Sequence, residues 1–168
     1  MFDPEAKDKQ QGIAELVETL KKRCDVPVIA SGGIMTGADI VAIRACGADA
    51  VQMGSAFLTT DECGSRDIYR SAIEKMADRD SGFTVGFSGR PARGIQNIFI
   101  DTLQDSEAVL PFPLQNTLTG SLRKAAGGVN DLELMSLWAG ANYQAARNCS
   151  VAELISELKR EMVQAGLV

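Results

Sequence analysis

Two glycine-centred loops carry the residue types that could do chemistry in this chain. Gly32 and Gly33 follow the apolar run VPVIAS, and Gly54 and Ser55 follow DAVQM. Glycine lets backbone N–H groups approach an anion closely, and a helix N-terminus after such a loop adds partial positive charge. Gln52 and Ser55 supply side-chain donors beside the second loop. The pattern favours a phosphate site, and the alternative for each loop is a tight turn that needs positive φ and binds nothing.

The elements around these loops indicate two strands separated by a helix. Val26–Ala30 and Asp49–Met53 are short apolar runs, and the first does not alternate, which predicts a strand buried on both faces. Between them, Thr36 and Asp39 fit a capping box at the start of a helix that Gly47 ends. Helices alternating with short strands are typical of parallel βαβ units and an α/β fold. In a (β/α)8 barrel, adjacent strands end at the same rim, so both loops would face one point.

The rest of the chain is predicted to be mostly helical. Ile68, Ala72, Ile73 and Met76 predict one amphipathic helix, and residues 83–94 read as a strand or turn followed by an exposed loop. Residues 95–149 have helical propensity with interruptions at 110–113 and 125–128. Ser150 begins a terminal helix with a second capping box. The apolar stripe of that helix comprises Val151, Leu154, Ile155, Leu158 and Met162.

Composition excludes several classes of function. The 168 residues carry a net charge of −5, which argues against a nucleic-acid partner because such a partner needs a basic face. No apolar run is long enough to span a membrane. The four cysteines lack metal-ligand spacing, so we expect reduced thiols in a cytoplasmic protein and no metal site. The sequence contains no histidine, so an imidazole base must come from elsewhere.

Several motifs, taken in order, resemble a known family of flavin enzymes. They are PVIASGGI, GADAVQMGSAF, FSGRPARG, PLQN and SLWAG. From about residue 13 to the end, the chain resembles the C-terminal half of the nitronate monooxygenases. The resemblance implies that the two strands are barrel strands seven and eight. It also implies that the phosphate of flavin mononucleotide (FMN) rests on the two loops, at Gly32, Gly33, Gln52, Met53, Gly54 and Ser55.

The same resemblance implies a division of the chain into three regions. Residues 1–60 would be the last βα units of an FMN-binding TIM barrel, residues 61–149 a mainly helical inserted domain on the substrate side, and residues 150–168 a terminal helix returning to the barrel. Barrel strands one to six and the family's catalytic histidine would lie outside this chain, which would then contain no catalytic residue. We therefore expect the chain to self-associate or to pair with the missing N-terminal half.

The activity implied is FMN-dependent oxidation of alkyl nitronates by O2 to carbonyl compounds and nitrite. Two alternatives stay open. One is an FMN-dependent enoyl-acyl-carrier-protein reductase, which shares the barrel and the glycine loops. The other is a non-catalytic fragment that binds FMN or phosphate.

Four further side chains have both a functional and a packing interpretation. Trp138 and Tyr143 could lie near the flavin or line a pocket, although a lone tryptophan more often packs in a core. Arg90 and Arg93 could contact substrate or another subunit, although exposed basic loop residues are usually solvated. The resemblance departs at Ala141, where the family often has glutamine, and this weakens a role for Trp138.

Overall fold

The computed structural model describes residues 11–65, 67–104 and 106–167. Its helices and strands follow one another as α1 (Ile13–Arg23), β1 (Ile29–Ser31), α2 (Gly37–Ala45), β2 (Ala50–Gln52), α3 (Asp67–Lys75), β3 (Ser81–Thr84), β4 (Ala92–Ile95), α4 (Ile98–Leu103), α5 (Leu114–Val129) and α6 (Val151–Gln164). Short 3-10 turns lie at Ser55–Phe57 and Tyr143–Ala145. The mixture of helices and strands agrees with the predicted α/β class.

The first part of the chain and the last helix form what we call the parallel-sheet unit, residues 13–57 and α6. β1 and β2 pair in parallel, with Ile29 opposite Ala50 and Ser31 opposite Gln52. α2 connects them, as the alternating pattern predicted, and both strands end at the same edge of the sheet. Its core comprises Val17, Val28, Ala30, Ile34, Ile40, Ile43, Ala48, Leu154 and Leu158.

α2 begins where the sequence predicted, because its capping box forms. The Thr36 side chain accepts from the Asp39 N–H, and the Asp39 carboxylate accepts from the Thr36 N–H. Gly37, the first helical residue, lies directly against α6: a Cβ there would sit 2.4 Å from the Leu158 carbonyl oxygen. The missing side chain therefore allows α2 and α6 to approach backbone to backbone.

α6 is held over the sheet by its own cap and by its buried face. The predicted capping box of Ser150 and Glu153 is present. Leu154 and Leu158 are buried in the core, while Ile155, predicted to share their stripe, remains 38% exposed. The Glu161 carboxylate accepts from the Gly37 N–H at 2.7 Å, so the last helix also caps the second one.

Residues 67–146 form a separate arrangement that we call the hairpin unit. β3 and β4 pair antiparallel, with Ser81 opposite Ile95 and Thr84 opposite Ala92. Its core comprises Ala72, Ile73, Met76, Ile95, Ala126, Met135, Leu137, Ala139 and Tyr143. The stretch 83–94, predicted as a strand or turn and then a loop, lies within this hairpin: it begins with the last two residues of β3, continues through the connection at 85–91 and ends in β4.

The strands of the parallel-sheet unit differ most from prediction. Each is three residues long rather than five, and neither is buried on both faces. Val26 lies before β1 and is 63% exposed, and Ile29 within it is 62% exposed. The physical reason is that this sheet has only two strands in the described part of the chain, so its outer edges and part of one face have no cover. Leu16 and Leu20 of α1 are likewise exposed, at 42% and 36%.

Two expectations drawn from composition can be compared with the structure. All four cysteines are free thiols, but each is half-buried rather than buried. Among the helices of the described residues, none is long and apolar enough to cross a membrane.

Candidate functional site

The two glycine loops open into one cavity of about 170 Å³ at the edge where β1 and β2 end. The structure brings together all six residues that the sequence singled out. The complete lining is Ser31, Gly32, Gly33, Ile34, Met35, Gln52, Met53, Gly54, Ser55, Gly140 and Asn142. None of these side chains is ionisable, so the lining presents no carboxylate that would repel an anion.

In the first loop, glycine is required by the backbone itself. Gly32 has φ of 121° and Gly33 has φ of 69°, both in the region that side-chain-bearing residues avoid. A Cβ on Gly33 would also lie 3.3 Å from Nδ2 of Asn142. Positive φ and close packing thus account for these two glycines without a ligand.

The second loop has a different explanation. Gly54 has φ of −113°, which any residue can adopt. A Cβ built on Gly54 would meet no protein atom within 4 Å. Neither backbone conformation nor internal packing therefore demands glycine here. The absent side chain leaves open space beside a residue that lines the cavity, and this observation favours a ligand over a simple turn.

Several hydrogen-bond donors face this space. Within the described part of the chain, the backbone N–H groups of Gly33 and Gly54 donate to no protein acceptor. The Ser55 hydroxyl accepts from the Gly140 N–H at 2.7 Å. Because a hydroxyl can accept and donate at once, its own proton remains available. Gln52 is exposed at the cavity mouth, and its amide can also donate.

The expectation that a helix N-terminus would add positive charge is wrong for α2. The carboxylate of Asp39 accepts from the N–H groups of Met35 and Thr36 at 3.0 and 2.9 Å, and Glu161 takes the Gly37 N–H. Burial alone would raise the pKa of Asp39, but these hydrogen bonds outweigh it and lower the pKa, so the group is ionised. The N-terminus already holds two carboxylates of the protein, and any anion in the cavity must rely on loop donors.

Sequence reasoning missed Gly140 and Asn142, which approach the loops from the hairpin unit. The Asn142 Nδ2 donates to the Gly33 carbonyl oxygen at 2.7 Å. Both residues belong to SLWAGANY, in which the sequence analysis assigned candidate roles to the aromatic residues only. A small residue and an amide beside that tryptophan were the available signal.

The aromatic residues of that stretch pack instead. Trp138 meets Phe87 edge to face, with ring centroids 5.5 Å apart, and Tyr143 is fully buried. The Tyr143 hydroxyl donates to the carbonyl oxygens of Met76 and Arg79. The packing interpretation therefore holds for both rings.

A wider groove of about 620 Å³ adjoins the cavity and shares its first loop. Arg93 lines this groove from β4, with its guanidinium 4.4 Å from the Phe83 ring and 2.7 Å from the Ser81 carbonyl oxygen. Arg90 does not line it and lies over Phe112 at 4.2 Å. In the residues that the structure covers, no group of side chains has the composition to hold a metal ion.

Comparison with known proteins places this chain in a family. Residues 3–161 match the family model described as nitronate monooxygenase. The chain belongs to the nitronate monooxygenase family. It is 37% identical over 151 residues to "Probable nitronate monooxygenase" of Staphylococcus saprophyticus, covering 89% of this chain and 42% of that one. The corresponding protein of Staphylococcus aureus strain Newman is 38% identical over 154 residues, with 91% and 43% coverage.

Solved structures of family relatives superpose on the described fold. Nitroalkane oxidase from Streptomyces ansochromogenes matches with a TM-score of 0.83 and 38% identity, over 92% of this chain and 44% of that one. FabK from Thermotoga maritima matches less well, with a TM-score of 0.76 and 29% identity, over 92% of this chain and 50% of that one. The chain therefore spans less than half the length of the curated relatives it matches.

Proposed function

We propose that the cavity between the two glycine loops binds the phosphate of FMN. Family members depend on flavin in general. The residues present fit a phosphate in three respects: the Cβ-free side of Gly54 faces open space, unpaired N–H groups lie in both loops, and the lining carries no charge. A volume of about 170 Å³ exceeds several times the roughly 30 Å³ that one water occupies in the liquid, so a tetrahedral anion has room.

The open space at Gly54 is the single observation that carries this proposal. In it, the N–H groups of Gly33 and Gly54 and the Ser55 hydroxyl hold the phosphate, Gln52 donates from the rim, and Gly32 and Met53 shape the walls. When bound, the flavin supplies the transfer of electrons between substrate and O2. This chain contributes the orientation of the cofactor through its phosphate.

For the complete protein, we propose oxidation of alkyl nitronates by O2 to carbonyl compounds and nitrite. The better superposition on a nitroalkane oxidase than on FabK supports this activity over the enoyl reductase alternative. The family's catalytic histidine has no counterpart in these 168 residues, which contain none. Catalysis would thus need a further part of the protein, and this chain would supply the phosphate end of the site.

For the complete protein, we also propose a barrel fold, a partner chain that completes the sheet and a cytoplasmic location. The parallel strands with their two loops support a place as strands seven and eight of a TIM barrel. The exposed Val26 and Ile29 support completion of the sheet by the N-terminal half or by a second copy. Free thiols support a cytoplasmic location.

The experiment that tests phosphate binding is a Gly54→Val substitution. A Cβ at this position has no protein atom within 4 Å, so we expect the fold to survive while the valine side chain occupies part of the cradle. We expect FMN to bind the variant at least about tenfold more weakly in a fluorescence-quenching titration, since about 1.4 kcal/mol lost is tenfold in affinity.

Gly64→Val is the matched control. Gly64 also has open space around its Cβ position but lies away from the cavity. This variant should bind FMN as the unmodified chain does. Equal FMN affinity in Gly54→Val and the unmodified chain would contradict the assignment.

A further inference from the structure

The segment 140–142, which we call the cavity strap, connects the two glycine loops to each other. Its Gly140 N–H donates to Ser55 of the second loop, and its Asn142 amide donates to Gly33 of the first, each at 2.7 Å. On its other side the Gly140 carbonyl oxygen accepts from the Ser81 hydroxyl at 3.2 Å. The strap is therefore fixed between the hairpin unit and both loops.

The strap also explains why its first residue is glycine. A Cβ on Gly140 would lie 3.2 Å from the Ser55 Oγ, closer than ordinary contact, so a larger residue would push the strap off the second loop. In the first loop, the absent Cβ of Gly33 leaves the space that the Asn142 amide uses. Glycine at 140 and at 33 thus allows the strap to lie close to both loops.

The hydrogen bond from Asn142 decides the orientation of one peptide group. It holds the carbonyl of the Gly33–Ile34 peptide on the side of Asn142. A trans peptide points its N–H away from its carbonyl, so the Ile34 N–H faces the opposite side. No acceptor in the described residues takes that N–H. Glycine at 33 makes rotation of this peptide easy, and without the hydrogen bond from Asn142 its carbonyl oxygen would be an unpaired acceptor in the lining of the cavity.

We propose that Asn142 is a positioning residue of the phosphate cradle. Its amide pairs the Gly33 carbonyl oxygen and fixes the first loop, so that an anion in the cavity does not meet an unpaired acceptor there. The inference rests on the proposed function, because the cradle is there assigned to FMN phosphate. Asn142 acts through the loop and need not contact the flavin.

The test compares FMN with riboflavin, which lacks the phosphate, on the 168-residue chain. We expect Asn142→Ala to weaken FMN binding about five- to tenfold, as for the loss of one hydrogen bond, and to leave riboflavin binding unchanged. Asn142→Asp should weaken FMN more, because a carboxylate cannot donate to the Gly33 carbonyl and adds negative charge beside the phosphate. A general loss of structure would instead weaken both ligands together.

Asn148→Ala is the matched control, because the Asn148 amide also makes one side-chain hydrogen bond, to Glu74, away from the cavity. This variant should have the same ratio of FMN affinity to riboflavin affinity as the unmodified chain. If the unmodified chain does not prefer FMN, the phosphate assignment itself fails. If it does prefer FMN and Asn142→Ala keeps that preference, only the positioning role is overturned. Circular dichroism of each variant checks that the fold is retained.

Discussion

The hairpin unit and the parallel-sheet unit bury their residues to different degrees. In the hairpin unit, Ile95, Leu137 and Tyr143 are completely inaccessible to solvent. In the parallel-sheet unit, the strand residue Ile29 is 62% exposed, and a cavity enters between the two strand ends. The first arrangement buries the strand residue Ile95 completely, although its helix α5 exposes Leu118 and Val129. The second leaves strand ends and edges open, and this is where a ligand and a neighbouring chain can be accommodated.

The difference teaches where stability and binding come from in this molecule. Full burial of large apolar side chains is the dominant source of folding free energy. The loops at the strand ends contribute little burial, but they present backbone donors that pair with no acceptor among the described residues. The strap links the hairpin unit to these loops through the hydrogen bonds of Gly140 to Ser55 and of Asn142 to Gly33.

The largest expected effect compares one substitution in a strand of each unit. Ile95→Ala should lower the free energy of unfolding by about 2–5 kcal/mol, because Ile95 is fully buried and leaves a cavity. Ile29→Ala should cost less than about 0.5 kcal/mol, because most of its side chain is already in water. Urea denaturation followed by circular dichroism measures both. Equal losses would contradict the comparison and show that another chain covers Ile29 in solution.

A second comparison uses glycine in a helix of each unit. Gly37→Ala should destabilise the chain by about 1–3 kcal/mol, because the added Cβ would strike the backbone of α6 at Leu158. Gly120→Ala in α5 meets open space and should stabilise by up to about 1 kcal/mol through helix propensity. Thermal denaturation of the two variants gives the signs. A Gly37→Ala variant as stable as the unmodified chain would mean that α6 does not lie against α2.

The smallest expected effect concerns pH. The hydrogen bonds to Asp39 hold its folded pKa below the ordinary value of 3.8. A lowered carboxyl pKa stabilises the fold above the unfolded value, and this stabilisation is lost as the pH falls through the folded pKa. The melting temperature of Asp39→Asn should therefore fall less steeply below about pH 4 than that of the unmodified chain. The corresponding difference in the free energy of unfolding is at most about 1 kcal/mol. A variant with the same pH profile as the unmodified chain would contradict the assignment of these hydrogen bonds.

The sequence predicted local features well where neighbouring residues determine them. The capping boxes at Thr36 and Ser150 form because each depends on contacts three residues apart. The strand pattern predicted that the two glycine loops meet, because two adjacent parallel strands end at one edge, and the family resemblance supplied the six individual residues. Gly140 and Asn142 were missed because their partners, Ser55 and Gly33, lie 85 and 109 residues away. The periodic pattern of a sequence gives no information about contacts between residues so far apart along the chain.

The burial of the strands was overestimated for a related reason. An apolar run shows that a residue tolerates burial, but it does not show whether a neighbour is present to bury it. Ile29 is apolar and exposed because the described sheet ends beside it. The α2 N-terminus was misread in the same way, because Glu161 reaches it from the far end of the chain.

The two carboxylates that occupy the N-terminus of α2 also determine how the cavity responds to dissolved ions. The helix charge is neutralised internally by Asp39 and Glu161, and the cavity lining carries no cation of its own. Salt weakens attraction between separated charges over a Debye length of about 8 Å at physiological ionic strength, but it screens hydrogen bonds at contact distance far less. A phosphorylated ligand held here would dissociate at nearly the same rate in dilute and concentrated electrolyte. The site would select its ligand by shape and by the geometry of its amide donors, and it would not raise the local concentration of other anions.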